Sequence, residues 1–405
     1  MPYRFLRPIR MITGWGLLCV NTSLFASPTL NTFMQEVWEK NPSIQAAEAT
    51  LNVAKARQRA ANQPIYNPEL DIEAERSDIN TMSIGISQSI DWADKRSVLS
   101  HASNAEIRYA LAELNNQRFS LAKKILTTLT NIEATRQFQT LAQQRVELMM
   151  EFASNTEKRQ QAGDVGLQDT ALARVALSEA KMQLGRSKAK QVENEANIIA
   201  ESGVQEWPMI AKEPPALSQS LDTDKYLTKL PSLNALKAAL SASKSNIKLS
   251  KAQRKSDPTF GIKGGMEGSN ALLGLSFSMP LNVRNNYGAE VEVANQASLQ
   301  VEQLLLAETQ RAKAHITGAH QRYRLTFNAW QSWKKTGLTS LKQQLDLIQT
   351  LWKSGEMSTA DYLVQAKQNV DAQETAVELS AEMWAAWIEW LTTSGQIEQW
   401  INQSN

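Results

Sequence analysis

Ala162-Gly163-Asp164-Val165-Gly166-Leu167-Gln168-Asp169 and Ser354-Gly355-Glu356-Met357-Ser358-Thr359-Ala360-Asp361 are two versions of one punctuation mark. Each is a short glycine-bearing break between two long stretches poor in Gly and Pro, and Gly163 and Gly355 lie 192 residues apart. Glycine accepts the left-handed backbone that ends a helix and turns the chain back. Two pairs of long helices, each folded back at such a tip, predict a rod rather than a globule.

The stretches flanking the breaks carry the helical pattern. Residues 94–161 contain no Pro and no Gly, which predicts one helix of about 100 Å at 1.5 Å per residue. Its return runs from about Leu167 to Glu201, and 203–225, with Pro208, Pro214 and Pro215, reads as an irregular link. After the second hairpin a Pro-free helical pattern reaches Lys353, with Gly288, Gly318 and Gly337 its only glycines. The last helix runs from about Ser358 to Ser394. Its spacing by threes and fours (Leu363, Ala366, Val370, Gln373, Val377, Ala381, Trp384, Ile388, Leu391) predicts a coiled-coil seam. Trp384, Trp387, Trp390 and Trp400 read as helix-packing residues.

Upstream of each long helix lies a segment of period two. Glu69, Asp71, Glu73 and Glu75 alternate with Leu70, Ile72 and Ala74; after 77–80, Met82, Ile84 and Ile86 alternate with Ser83, Gly85, Ser87 and Ser89. The second copy alternates Phe260, Ile262 and Met266 with Thr259, Gly261, Lys263 and Gly265, then Leu273, Leu275, Phe277 and Met279 with Gly274, Ser276 and Ser278. These are β-hairpins with one apolar and one polar face. Asn41-Pro42-Ser43 and Leu230-Pro231-Ser232, like Gly85 and Gly274, are 189 residues apart. The chain is therefore a two-fold repeat of helix, hairpin, long helix, tip and helix, over 27–228 and 229–405.

Residues 1–26 read as a secretory signal. Arg4, Arg7 and Arg10 precede an apolar run, with a cut expected after Ala26. Cys19, the single cysteine, lies inside it, so the remaining chain offers no disulfide and no thiolate ligand. Loss of the three arginines takes the formal charge from +2 to −1, which gives no electrostatic case for nucleic acid. Mean hydropathy is −0.38, and no stretch after residue 26 approaches the roughly 20 apolar residues of a spanning helix.

Strands expected at 10–12 residues fit a tilted membrane strand of about 9–11. The apolar face would meet lipid and the polar face a lumen. Four strands cannot close a barrel, and lipid does not tolerate an open edge, so several chains would have to share one. The same alternation also fits two soluble hairpins packed on helices, as in a periplasmic coiled-coil adaptor or scaffold.

With its repeat, its hairpins and its tips Val165-Gly166-Leu167-Gln168-Asp169 and Gly355-Glu356-Met357-Ser358, the chain resembles the TolC family of outer-membrane efflux ducts. That resemblance implies a mainly α protein with a small β part. It implies a homotrimer with a long α-helical barrel in the periplasm and a shared twelve-stranded transmembrane β-barrel in the outer membrane of a Gram-negative bacterium. Its partners would be a periplasmic adaptor, an inner-membrane RND-type pump and outer-membrane lipid. Asp91-Trp92-Ala93-Asp94-Lys95-Arg96 and the segment Pro280 to Val291 resemble the CzcC branch, which serves heavy-metal cation exporters; Asp94 stands where that branch usually has Gly. Drugs or other organic substrates fit the same duct.

No catalytic constellation is found, no cofactor is implied, and an enzyme is not expected. His315 and His320, five apart, do not share a helix face, and with His101 they read as solvated rather than metal-binding. The candidate functional residues are of two kinds. Glu69, Asp71, Glu73 and Glu75 form an acidic row that would line the lumen and favour cations. Gly163, Asp164, Val165, Gly166, Leu167, Asp169, Gly355, Glu356, Met357, Ser358 and Asp361 form the periplasmic tip, implied to gate the duct and dock the adaptor. Asp169 and Asp361, in the first turn of the return helices, also complement the positive helix end. Tyr66, Trp92, Phe260 and Phe277 are candidates for an interfacial aromatic girdle.

Overall fold

The structure, a computed structural model, describes residues 29–210 and 213–403; the expected signal segment lies outside them. In chain order the elements are α1 (Leu30–Lys40), α2 (Pro42–Ala61), β1 (Glu69–Glu75), β2 (Thr81–Ser89), α3 (Lys95–Gln161) and α4 (Leu167–Ser202). The second half gives α5 (Thr223–Leu227), α6 (Pro231–Gln253), β3 (Thr259–Glu267), β4 (Asn270–Ser278), α7 (Gly288–Lys353), α8 (Thr359–Thr393) and α9 (Ile397–Gln403). The alternation of helices and hairpins follows the sequence closely. Two short helices, α5 and α9, were not expected. The strands have 7 to 9 residues rather than 10–12, because the flanking prolines and tight turns stop pairing early.

Local chemistry explains the boundaries. Asn41 ends α1 and caps α2, its Oδ1 accepting from the Ser43 amide at 2.9 Å while Pro42 takes the first helical position. α3 and α7, 67 and 66 residues long, each span about 100 Å. Both start from a residue with φ of 54°, Asp94 and Tyr287, where the chain swings from strand to helix. At the first of these swings the Asp91 carboxylate accepts the amides of Lys95 and Arg96 at 2.7 and 2.8 Å, serving as the cap that Asp94 does not provide.

α3 is the spine, packed against α2, α4, α6 and α8, while α7 packs against α6 and α8. The largest core joins α1, α9, the middle of α3, the middle of α7 and the C-terminal half of α8, around Phe33, Ile125, Ile316, Tyr323, Trp387 and Trp390. Trp387 and Trp390 are buried as read from the sequence, and Trp384 and Trp400 pack half-buried against the same core. A second, separate core lies near the two tips.

The buried stripe of α8 is wider than the expected seam. Of the expected seam Ala366, Val370, Ile388 and Leu391 are buried, and the stripe also takes in Tyr362, Asn369, Ala376, Ser380, Met383, Trp387 and Trp390, leaving Leu363, Gln373, Val377, Ala381 and Trp384 half-buried. Asn369 is 0% exposed because its amide donates to Leu341 O at 2.7 Å and Gln344 Oε1 at 3.1 Å. A satisfied polar residue in a seam is invisible to a reading based on apolar spacing.

Accessible surface totals 26048 Å². A compact monomer of 45.1 kDa would expose about 16,000 Å². The chain is a rod with faces left open.

Candidate functional site

The four strands form one antiparallel sheet in the order β1-β2-β3-β4, which leaves β1 and β4 as free edges. The register sorts the two faces completely. Leu70 pairs with Ile86, Ile72 with Ile84, Ile86 with Ile262, and Ile262 with Leu275. Between these rows, Glu69 pairs with Ser87, Asp71 with Gly85, Gly85 with Lys263, and Lys263 with Gly274.

Exposure separates the two faces. On the polar face Ser83 and Ser87 are 6% and 9% exposed, whereas the large apolar residues of the other face are 46% to 87% exposed, from Phe260 to Leu275. The middle of the polar face is covered by its own side chains, Glu73 and Lys263 meeting over Ser83, while the apolar face is bare. The chain's own helices do not cover the apolar face.

Glu69, Asp71, Glu73 and Glu75 all lie on the polar face, as their alternation required, and Glu267 joins them there. Lys263 stands among them. Its Nζ reaches across β2 to Glu73 Oε2 at 2.8 Å, and Ser83 Oγ donates to the same oxygen at 3.2 Å. The acidic row is thus partly neutralised, by a cation that alternation placed on the polar face but whose reach only the register reveals. Trp92, 73% exposed, and the adjacent Phe260 and Phe277, with centroids 5.2 Å apart, flank the apolar face. Tyr66 is instead tied by its hydroxyl to Asp257.

At the far end, both tips are built alike. Gly163 and Gly355 have φ of 84° and 82°. The amides of Gly163 and Asp164 donate back to Gln160 and Arg159, and those of Gly355 and Glu356 to Trp352 and Leu351, the double closure that satisfies a helix's last carbonyls. The return helices are capped by Asp169 at the first tip and by Ser358 at the second. Asp169 Oδ2 accepts the Gly166 amide at 3.0 Å. Ser358 Oγ accepts the Asp361 amide at 3.0 Å and donates to Asp361 Oδ2 at 2.6 Å. Gly163, Asp164, Gly166, Leu167, Gly355, Glu356, Ser358 and Asp361 are exposed, Leu167 at 77%, while Val165, Met357 and Asp169 are half-buried.

Just behind the tips, three aromatic rings lock α3, α7 and α8 together. Trp352 stacks on Tyr362 at 4.7 Å, and Phe152 lies 5.1 Å from Trp352 and 5.2 Å from Tyr362. Arg159 donates to Trp352 O at 3.3 Å, with its guanidinium 6.0 Å from the indole centroid. Burial pushes the Tyr362 phenol up. Farther along the rod, Arg145 of α3 is 5% exposed beside Glu374 (3.4 Å) and Asp371 (3.8 Å) of α8 and Glu179 (4.0 Å) of α4. None of these groups stood out in the sequence.

The histidines divide. His101 and His315 are exposed, but His320 is buried, its Nε2 2.9 Å from Ser218 O and its ring edge-on to Trp390. The expectation of a solvated His320 fails because the 213–221 link folds over α7. Among the described residues no group of three or more His, Cys, Asp or Glu is placed to hold a metal. None of their helices is long and apolar enough to cross a membrane.

Comparison with known proteins gives the following. Residues 33–204 match the family model for Outer membrane efflux protein. No curated protein sequence gives a significant match. Among solved structures, the outer-membrane channel OprN superposes with a TM-score of 0.78 at 14% identity, over 91% of this chain and 90% of that one. CusC, studied for the conformational changes of folding and transmembrane channel formation, gives 0.76 at 14% identity, over 92% and 95%. The CmeC outer membrane channel of Campylobacter jejuni gives 0.75 at 13% identity, over 100% and 97%. The chain has the fold of these TolC-like channels.

Proposed function

We propose that this chain belongs to the outer membrane efflux protein family and is one protomer of a homotrimeric exit duct. It conducts substrate passively from an inner-membrane RND-type pump and a periplasmic adaptor across the outer membrane. The observation that carries this reading is the sheet: a bare apolar face and a polar face, which would become the convex and concave sides of a closed barrel, and two unpaired edges. Such edges are tolerated in lipid only when paired to further copies, and three copies of four strands would supply a closed barrel of about twelve.

The helices support an assembly independently. Leu172, Val175, Met182, Val192 and Ile199 form an exposed apolar row on α4, spaced as a coiled-coil seam that awaits a partner. The tips then ring the opposite end of the duct, where capped, exposed turns suit docking of an adaptor hairpin and gating of the entrance. The aromatic lock around Trp352 would be the element that moves.

Heavy-metal cations are the favoured cargo, on the resemblance to the CzcC branch and the acidic polar face. The same duct serving organic substrates is the second reading, favoured by the neutralisation of Glu73 by Lys263. Fractionation should place the chain in the outer membrane as a trimer that runs faster unheated than heated on a gel. A deletion strain should become sensitive to divalent metal salts. A monomer in the soluble periplasm would sink the duct; unchanged metal tolerance with new sensitivity to organic compounds would move the cargo to the second reading.

A further inference from the structure

Lys263 occupies an unusual place on the polar face. It sits in the row Asp71, Gly85, Lys263, Gly274, with a glycine opposite it on both neighbouring strands. A Cβ at Gly85 would come within 2.9 Å of Lys263 Cβ, and one at Gly274 within 3.1 Å of its Cγ. The lysine stem therefore fills space that side chains at those two positions would take. Its ammonium does not rise from the wall. It reaches Glu73 two strands away at 2.8 Å, where Ser83 also donates at 3.2 Å. Per chain the polar face carries five carboxylates (Glu69, Asp71, Glu73, Glu75 and Glu267) and this one ammonium.

We propose that Lys263 is the charge-selectivity residue of the duct: held against the polar face by Glu73, its ammonium weakens the acidic field of the lumen and limits the preference for small cations over anions. This rests on the duct reading above. A charge on a confined, water-filled wall acts on every permeating ion, because low-dielectric surroundings focus its field. The two partners therefore have opposite effects. Lys263→Met deletes a positive charge from each protomer. Glu73→Gln deletes a negative charge and also frees the ammonium from its tether. The double variant restores the parent's net charge.

The test is the reversal potential of the purified full-length protein in planar bilayers under a potassium chloride gradient, at about 0.1 M salt, where screening is modest. The parent is expected to prefer potassium. Lys263→Met should raise the potassium-to-chloride permeability ratio by about twofold or more, Glu73→Gln should lower it by a similar factor, and the double variant should return it close to the parent's. Trimer mobility on unheated gels verifies assembly of each variant, and either single variant suffices if the other does not assemble. A conducting parent whose ratio is unmoved by both single changes, or moved the same way by both, overturns the role of Lys263 alone. A parent that forms no conducting channel overturns the duct itself and this role with it.

Discussion

Tyr66 donates a 2.6 Å hydrogen bond to Asp257, 191 residues further along the chain. Lys95, the first residue of α3, stands 2.8 Å from the same carboxylate oxygen. Tyr66 precedes β1 and Asp257 precedes β3, so this triad ties the entries of both hairpins to the base of the spine helix. It is where the sheet is fastened to the rod. Burial alone would push the Asp257 carboxyl up, but the hydrogen bonds from Lys95 and Tyr66 outweigh it and hold the group below the usual carboxylate range. The Tyr66 phenol is pushed up to about 12, first by its bond to Asp257 and then by burial.

Removing the acid should therefore cost more than removing the hydroxyl. Asp257→Asn leaves the Lys95 ammonium without its counter-charge, at a cost of about 3 kcal/mol. Tyr66→Phe loses one charge-assisted bond, about 1.5–3 kcal/mol at most. A phenol pKa raised on folding stabilises the protein fully below the unfolded value, about 10, and that stability is lost as pH rises toward 12. The parent should lose heat resistance across pH 10–12 more steeply than Tyr66→Phe, read as the midpoint of heat-induced gel mobility change. Parallel curves would show that the bond does not fasten the sheet.

Arg145 gives the second prediction. Its guanidinium, 5% exposed, is the only cation within 4.0 Å of Glu374 and Asp371 among the described residues, and it also approaches Glu179. Arg145→Met should destabilise the helical region by only about 1 kcal/mol, because the carboxylates it leaves are a third to a half exposed and Glu179 keeps Lys367. Glu374 behaves oppositely. Burial raises its carboxyl above the ordinary value, against the pull of Arg145. A raised carboxyl binds its proton more readily in the folded state, so its contribution improves as pH falls through the folded pKa and is unfavourable above it. Glu374→Gln is therefore expected to be neutral or stabilising at pH 7, with the advantage disappearing in mild acid. Thermal melts of both variants at pH 5 and pH 7 check the signs; a large loss for Glu374→Gln at pH 7 would contradict them.

The tips carry the third. Ser358→Ala removes the hydroxyl that accepts the Asp361 amide, a cap worth about 1 kcal/mol. Gly355→Ala places a side chain at φ of 82°, at a cost of about 1–2 kcal/mol. Both should speed amide exchange in the first turn of α8 while leaving exchange near the aromatic lock unchanged, because Trp352 and Tyr362 are held by packing from Phe152. Faster exchange throughout residues 345–370 would mean that cap and lock are one cooperative unit.

Most of the architecture is written locally. Glycine breaks, prolines at helix starts and period-two runs are short-range signals, and they place the long helices, hairpins and tips within a residue or two. The expected seam of α8 captured Ala366, Val370, Ile388 and Leu391 but not Asn369 and Ser380, because apolar spacing has no place for a satisfied polar residue. The groups that join distant segments were silent for a different reason. Arg145 with Glu374, Tyr66 with Asp257 and Lys263 with Glu73 are pairs separated by 190 to 229 residues, and only register and packing bring them together. Alternation put the acids on one face but left open how far their charge is cancelled.

Gly166 provides the sharpest test of the tip as a docking surface. Its φ of −85° is ordinary backbone, unlike that of Gly163, so a side chain there strains nothing. A Cβ would meet only Asp169 Oδ2 at 3.7 Å and the Gln168 amide nitrogen at 4.0 Å, both ordinary contacts. The larger side chain would therefore stand in solvent beside Leu167, on the surface proposed to dock an adaptor hairpin. Gly166→Phe should leave the trimer and its thermal midpoint unchanged, within about 0.5 kcal/mol as for other surface changes, while export through the assembled pump falls. The pair of measurements is unheated gel mobility and cellular tolerance to the exported compound, in a strain where this duct is the sole exit. Parent-level tolerance with a normal trimer would remove the tip from the docking surface, since no effect on folding would remain to explain the result.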